Sequence, residues 1–348
     1  MKCWLSEWLE RRCRFELGSG LEAWDLIRQR PFPPSGLPRR KHASQATRFV
    51  AFFGGQLGVF PPGQARRRTS CAVELIAPQY LKAAGMPLIH LDSLSDPALD
   101  TFRNIKQSNE TRWTGRFITE GKKLTLQLLQ SDFAMHSVLV SETYLDDIVA
   151  YLRPSVSTFV LPHALAEQLV GFHFHYGMLG CGIRKPVPSL PEIASPTGPL
   201  KLVICPRIEN PENLGSILRL SAGFGVAAIL LGEGSCDPFS RRVLRVSMGA
   251  ALRVPTIPSH AQLADHLHWL RDDRGVELIA TVLDPSAEPL KQAVVTDRSA
   301  LLFGNEDSGL APEWIALCQR RITIPMAAGT DSLNVALAAG IFLHHFFG

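Results

Sequence analysis

The chain of 348 residues has seven cysteines but no C-x-x-C pair, which argues against a zinc ribbon or a redox dithiol. The seven (Cys3, Cys13, Cys71, Cys181, Cys205, Cys236, Cys318) are scattered, so neither a disulfide framework nor a metal is expected. No apolar run approaches the ~20 residues that span a bilayer. Met1–Leu21 carries Glu7, Glu10 and Arg11–Arg12 where a signal peptide needs an apolar stretch. A cytoplasmic protein with no membrane contact is the expectation. G-x-G-x-x-G and G-x-x-x-x-G-K-[ST] are both missing; G-F-G at Gly223–Gly225 falls near the end of an expected helix, the wrong side for a dinucleotide fingerprint. Charge is sparse, at 20%, beside 46% hydrophobic residues, so most of the chain can bury a core. The net charge of +4 is also uneven: residues 1–85 hold 14 Lys/Arg and 6 Asp/Glu, and the remainder is net negative. A broad positive field over the globular part is therefore excluded, and any contact with a polyanion there must use a local patch.

What is present divides the chain. Residues 1–85 combine Arg clusters (Arg39–Lys41, Arg66–Arg68) with Pro/Gly punctuation and little periodicity beyond Trp4–Ile27. They are expected to be a poorly ordered basic extension, or translation from a start upstream of the true one, with Met86 as the alternative. Residues 86–184 read as a small α/β domain. It has a helix over Asp96–Asn109 capped by Asp96, strands at Arg116–Glu120, Ser137–Val140 and Ser157–Leu161, and helices at Lys122–Gln130, Glu142–Leu152 and Pro162–Val170. Residues 185–199 contain five prolines, which remove backbone donors and fix φ, so a semi-extended linker is expected there. From residue 200 to 348, strands (200–205, 227–231, 277–282, 301–304, 321–324) alternate with helices (214–224, 238–247, 262–271, 312–317, 332–345). That alternation predicts a mostly parallel sheet with helices on both faces, and a site in the loops at the carboxyl ends of its strands.

Three blocks fall on those turns. The first, N-L-G-S-I-L-R at Asn213–Arg219, places Arg219 about one helical turn beyond Gly215, so both can face one ligand. The second, F-G-N-E-D-S-G-L at Phe303–Leu310, offers Gly304 for a close backbone turn and Glu306 to orient Arg219 or a substrate. The third, I-P-M-A-A-G-T-D-S-L-N-V-A-L-A-A-G-I at Ile324–Ile341, ends a strand and opens a helix of small residues through Ser332-Leu333-Asn334. Alone, each also fits ordinary structure: a capped helix, a glycine-rich turn, a packed helix. His173 and His175 sit two apart as metal ligands can, but no third ligand is in view.

Together and in this order, the blocks resemble the three motifs of the SpoU/TrmH family of RNA ribose 2′-O-methyltransferases, within the SPOUT superfamily. The resemblance covers residues 86–348 and is strongest from Leu200 onward; Ser216 stands where alanine is common. It implies a C-terminal trefoil-knotted parallel-sheet domain, preceded by a small α/β substrate-binding domain like ribosomal L30e. It implies transfer of a methyl group from S-adenosylmethionine to a ribose 2′-hydroxyl of ribosomal or transfer RNA, by a homodimer with its site near the interface. The short C-terminal end leans toward ribosomal RNA. By resemblance Arg219 and Asn213 serve the target ribose, Glu306, Ser332 and Asn334 complete the catalytic set, and Gly304, Ile324 and Leu333 line the cofactor pocket. R-x-x-G-R-F-I-T-E-G-K-K makes Arg112, Arg116, Lys122 and Lys123 the RNA-binding candidates. Displacement at a sulfonium-borne methyl needs no metal and no His or Cys nucleophile, only alignment and help with one proton. Guanidinium keeps its proton in proteins, so Arg219 is expected to position the ribose and stabilise developing oxyanion charge rather than act as base. Two alternatives are a catalytically inactive RNA-binding protein of the same fold and an α/β enzyme for small molecules.

Overall fold

In Leu200–Cys205, Leu202 and Ile204 pack into one core while Val203 and Cys205 pack into another, and all four are fully buried. This period of two, repeated in neighbouring strands, builds a sheet covered on both faces. The computed structural model describes residues 49–53, 56–60, 88–103, 105, 114–327 and 332–348. The chain divides into two units, Met1–Val73 and Glu74–Gly348. In the first, β1 (Phe49–Phe53) and β2 (Gln56–Phe60) form an antiparallel pair. This hairpin is the part of residues 1–85 among the described residues, and its apolar strands were not expected.

The second unit holds two sheets. The smaller runs β3 (Leu88–His90), β6 (Ser157–Leu161), β5 (Met135–Ser141), β7 (Met178–Ile183), β4 (Arg116–Glu120). Here β3, β5 and β6 are parallel, while β7 pairs antiparallel with β5 and β4. Helix α1 (Lys122–Gln130) buries Leu124, Leu128 and Leu129, and α2 (His163–Val170) buries Ala166, Leu169 and Val170. Strand β7 escaped the sequence reading because Gly180 and Gly182 interrupt it. They are needed there: a Cβ at 180 would meet Thr119 Oγ1 at 2.7 Å, and one at 182 would meet the Phe117 ring. The helix expected over 96–109 is a six-residue 3-10 turn, Pro97–Phe102, capped by Asp96 as anticipated. Its buried Leu99 and Phe102 are three apart, the spacing of three residues per turn. Glu142–Leu152 is likewise two 3-10 turns rather than one helix.

The linker is more ordered than its prolines implied. Leu190–Ile193 forms one helical turn (α3), with Ser189 and Glu192 in a reciprocal capping box. Pro191 sits in that first turn, where its missing N–H costs nothing. Leu190 and Ala194 join the core under the larger sheet.

The larger sheet has seven parallel strands in the order β10 (Thr256–Pro258), β9 (Ala228–Leu231), β8 (Leu200–Cys205), β13 (Arg298–Leu302), β11 (Glu277–Thr281), β14 (Arg320–Thr323), β12 (Glu288–Pro289). The two strands not anticipated, β10 and β12, are its edges. Both contain proline, which only an edge tolerates. Helices α4 (Pro211–Gly223), α5 (Arg241–Val246) and α8 (Val335–Phe347) contribute to one core. Helices α6 (Leu263–Asp272) and α7 (Pro312–Leu317) share the other with α3.

The two sheets meet through built contacts. Arg184, just past β7, donates two hydrogen bonds to Asp237 at 2.9 and 2.6 Å, and Asp237 is 5% exposed. Phe117 and Phe133 of the smaller part pack against Phe239.

Candidate active site

The site gathers where β11, β13 and β14 end. Beyond β13, Asn305 closes a tight turn on itself. Its N–H donates to the Gly309 carbonyl at 2.9 Å, and its side-chain oxygen accepts from the N–H groups of Asp307 and Ser308. Gly304 permits that closure, because a Cβ there would overlap the Gly309 carbonyl carbon and the Leu310 nitrogen. The turn thrusts Glu306 toward the loop before α4. There its carboxylate accepts from the Asn210 N–H at 3.0 Å, the Glu209 N–H at 3.4 Å and the Asn213 amide at 3.1 Å. Burial pushes the Glu306 carboxyl up, but the bonds from Asn213, Asn210, Glu209 and its own backbone outweigh it and hold the group below the usual glutamate range.

The network continues into the third block. Asn334 Nδ2 donates to Asn213 Oδ1 at 2.9 Å, and Asn334 Oδ1 accepts from the Ala336 N–H at 2.9 Å, capping α8. Every orientation is forced. A carboxylate only accepts, so Asn213 turns its amide nitrogen to Glu306 and its oxygen to Asn334. One relay, Glu306–Asn213–Asn334, thus stitches the three blocks together.

Two hollows flank the relay. The first is a cleft at the ends of β11, β13 and β14. Gly304, Ile324 and Leu333, the expected cofactor residues, line it together, and so do Ser332 and Glu306 of the expected catalytic set. Thr281, Val282 and Leu283 also line it and were missed, although their position at the carboxyl end of β11 could have pointed to them. The second hollow contains Asn213, Ser216, Arg219, Leu220, Phe224 and Leu337, with Asn334 at its edge. Arg219 is exposed there and makes no hydrogen bond or ion pair among the described residues. Glu306 therefore orients Asn213 and the α4 entry, not Arg219, because its oxygens are taken by amides. Helix α4 also starts earlier than expected, at Pro211 with Asn210 as cap. Gly215 therefore serves close approach to α5, where a Cβ would lie 2.7 Å from Val246 Cβ.

The thiols nearest the site are inert. Burial is the main cause that pushes Cys236 up to about 12 and Cys205 further still. No group of His, Cys, Asp and Glu among the described residues has the arrangement of a metal site. Of the RNA candidates, Arg112 lies outside the described residues. Arg116 donates to Thr101 Oγ1 at 2.9 Å, Lys122 pairs with Asp147 at 2.8 Å, and Lys123 is exposed beside it. Helix α5 carries three further arginines that the sequence reading did not single out, Arg241 and Arg245 facing Glu120 and Arg242 paired with Glu212.

Comparison with known proteins gives a consistent picture. A model of the SpoU rRNA Methylase family matches residues 201–344. An uncharacterized tRNA/rRNA methyltransferase of Mycobacterium bovis is 34% identical over 261 residues, covering 71% of this chain and 87% of the relative. The 23S rRNA (guanosine-2'-O-)-methyltransferase RlmB of Acinetobacter baylyi is 29% identical over 181 residues, 51% of this chain and 73% of that protein. The AdoMet-bound rRNA methyltransferase crystal structure from Sinorhizobium meliloti is similar with a TM-score of 0.66 at 25% identity, over 74% of this chain and 97% of that one.

Proposed function

The chain belongs to the SpoU rRNA methylase family, and from that premise we propose that it is an S-adenosylmethionine-dependent enzyme methylating a ribose 2′-hydroxyl of ribosomal or transfer RNA. The observation that carries this reading is the relay from Glu306 through Asn213 to Asn334, with one hollow on each side. The first hollow fits the cofactor in chemistry: apolar walls from Ile324, Leu333 and Phe342, with polar groups from Ser332, Asn305 and Thr281. S-adenosylmethionine, when bound, supplies a methyl group already activated on a sulfonium.

The protein then has two tasks. Gly304, Ile324 and Leu333 hold the cofactor by close backbone approach. Arg219 takes the target ribose and its phosphate in the second hollow, with its guanidinium fork stabilising charge that grows on the attacking oxygen. Asn213 and Asn334 keep the shared wall rigid, so the two hollows stay in register. The knotted topology and the L30e-like character of residues 86–184 belong to the same proposal. They are supported by β13 entering the sheet out of chain order between β8 and β11, and by the separate mixed sheet.

We also infer a homodimer, in the cytoplasm where ribosomal and transfer RNA reside. Leu337 and Ile341 of α8 are 63% and 43% exposed, and Leu337 lies at the rim of the Arg219 hollow. A twofold contact there would cover them. No helix of the described residues is long and apolar enough to cross a membrane. The test is incubation with methyl-labelled cofactor and bulk RNA, followed by mapping of 2′-O-methyl positions. Label in ribose is expected from the wild type and is lost in Arg219→Ala. Label that appears on bases, or none at all, would sink the reading.

A further inference from the structure

We infer that the loop Gly171–Gly177, between α2 and β7, is a stacking platform for unpaired bases of the RNA substrate, continuous with the Arg219 hollow. The inference rests on the RNA methyltransferase reading and names the form of RNA that this surface takes.

The loop reads G-F-H-F-H-Y-G, and its side chains divide by depth. Phe174 is buried in the core of the smaller sheet and Phe172 is half-buried, while His173, His175 and Tyr176 face solvent. Tyr176 is 57% exposed. Its ring lies on the backbone of Gly121, which takes φ 91°; a Cβ at that position would come 3.2 Å from Tyr176 Cγ. The His173 and His175 rings are 4.0 Å apart. Tyr144 braces them from below: its hydroxyl donates to the His175 carbonyl at 3.2 Å, and its ring fills the space beside Gly177. The exposed rings are therefore held in place before any ligand arrives, which lowers the cost of binding.

Cations join this surface to the site. Lys123, exposed and without an ion pair among the described residues, follows two positions after the glycine under Tyr176. Glu120 precedes that glycine. It is 7% exposed and faces Arg241 at 3.4 Å and Arg245 at 3.5 Å, both on α5. The Arg241 guanidinium also lies 4.5 Å over the Phe172 ring. The other flank of α5 packs on α4 at Gly215, and its Val246 lines the Arg219 hollow. One short helix thus touches both the aromatic loop and the catalytic helix, with Arg242 and Arg245 half-exposed between them.

A paired A-form stem hides its base faces, whereas each unpaired base offers a π-face to a ring. Cations beside the rings match the phosphates between such bases. No third ligand joins these histidines in an arrangement that could hold a metal among the described residues.

The test uses the full chain and two fluorescein-labelled probes, a single-stranded RNA of about 12 nucleotides and a fully paired duplex of the same length. Wild type should bind the strand more tightly than the duplex. Tyr176→Ala should weaken strand binding roughly ten-fold and leave the duplex unmoved, as expected for one lost stacking contact. Tyr176→Phe should keep wild-type affinity, and His175→Ala, which spares the Gly121 packing, should lose strand affinity in the same sense. Wild-type label transfer to bulk RNA with strand affinity unmoved in both alanine variants overturns the platform and leaves the methyltransferase reading intact. A loop that instead seats a protein gives that same unmoved affinity. A wild type that neither binds RNA nor transfers label overturns both.

Discussion

Glu306 is where burial and hydrogen bonding oppose each other, and hydrogen bonding wins. Its folded-state pKa lies below the ordinary glutamate value. Its contribution to stability is therefore complete above the ordinary value and is lost as pH falls through the lower, folded one. The melting temperature of Glu306→Gln should lie below that of wild type at neutral pH, and the gap should close on acidification into that window. A gap independent of pH would mean that the charge is idle. Glu306 itself was legible in the sequence, but its partner was not. Nothing local indicates that residues 93 apart, Asn213 and Glu306, share a hydrogen bond. Arg219 gives a second prediction at this scale. Because it lines the second hollow and not the one proposed for the cofactor, Arg219→Lys should cut turnover by roughly 10²–10³-fold, as for loss of a placed oxyanion donor. Cofactor affinity by calorimetry should stay the same, and a large fall there would place the arginine in the wrong hollow.

At the level of elements, the strand-end loops decide the outcome. The turn after β13 closes only because position 304 carries no side chain. Gly304→Ala should force the turn open and abolish measurable cofactor binding, while circular dichroism keeps its wild-type shape. Cofactor binding at wild-type strength would show that the turn relaxes without cost. Gly215→Ala acts between helices by wedging α5 away from α4. It should lower stability by about 1–3 kcal/mol, the usual range for overpacking, read by urea unfolding. Long alternating strands were readable along the chain, since Leu202, Val203, Ile204 and Cys205 carry their own pattern. Strand β7 was not, because the same glycines that fit it beneath Phe117 and Thr119 also erase its propensity.

For the whole molecule, the second unit depends on how its two sheets are joined. The Arg184–Asp237 pair is largely buried, and removing one partner of such a pair leaves the other uncompensated. Arg184→Ala should destabilise the protein by about 3 kcal/mol, the lower end of the range for a broken buried pair, since the arginine keeps some access to water. A loss below about 1 kcal/mol in denaturant titration would class the pair with ordinary surface bridges. The three motif blocks, the alternation of strand and helix, and the family resemblance were legible in the chain alone, because periodicity, caps and turn chemistry act over a few neighbouring residues. Tertiary packing set the rest: Asn334 reaches back 121 positions to Asn213, Arg219 stands in its own hollow, and α5 touches both the aromatic loop and α4. Those contacts depend on which strands become neighbours. With β13 inserted between β8 and β11, adjacency in the sheet departs from adjacency in the chain, and local physics alone does not set it.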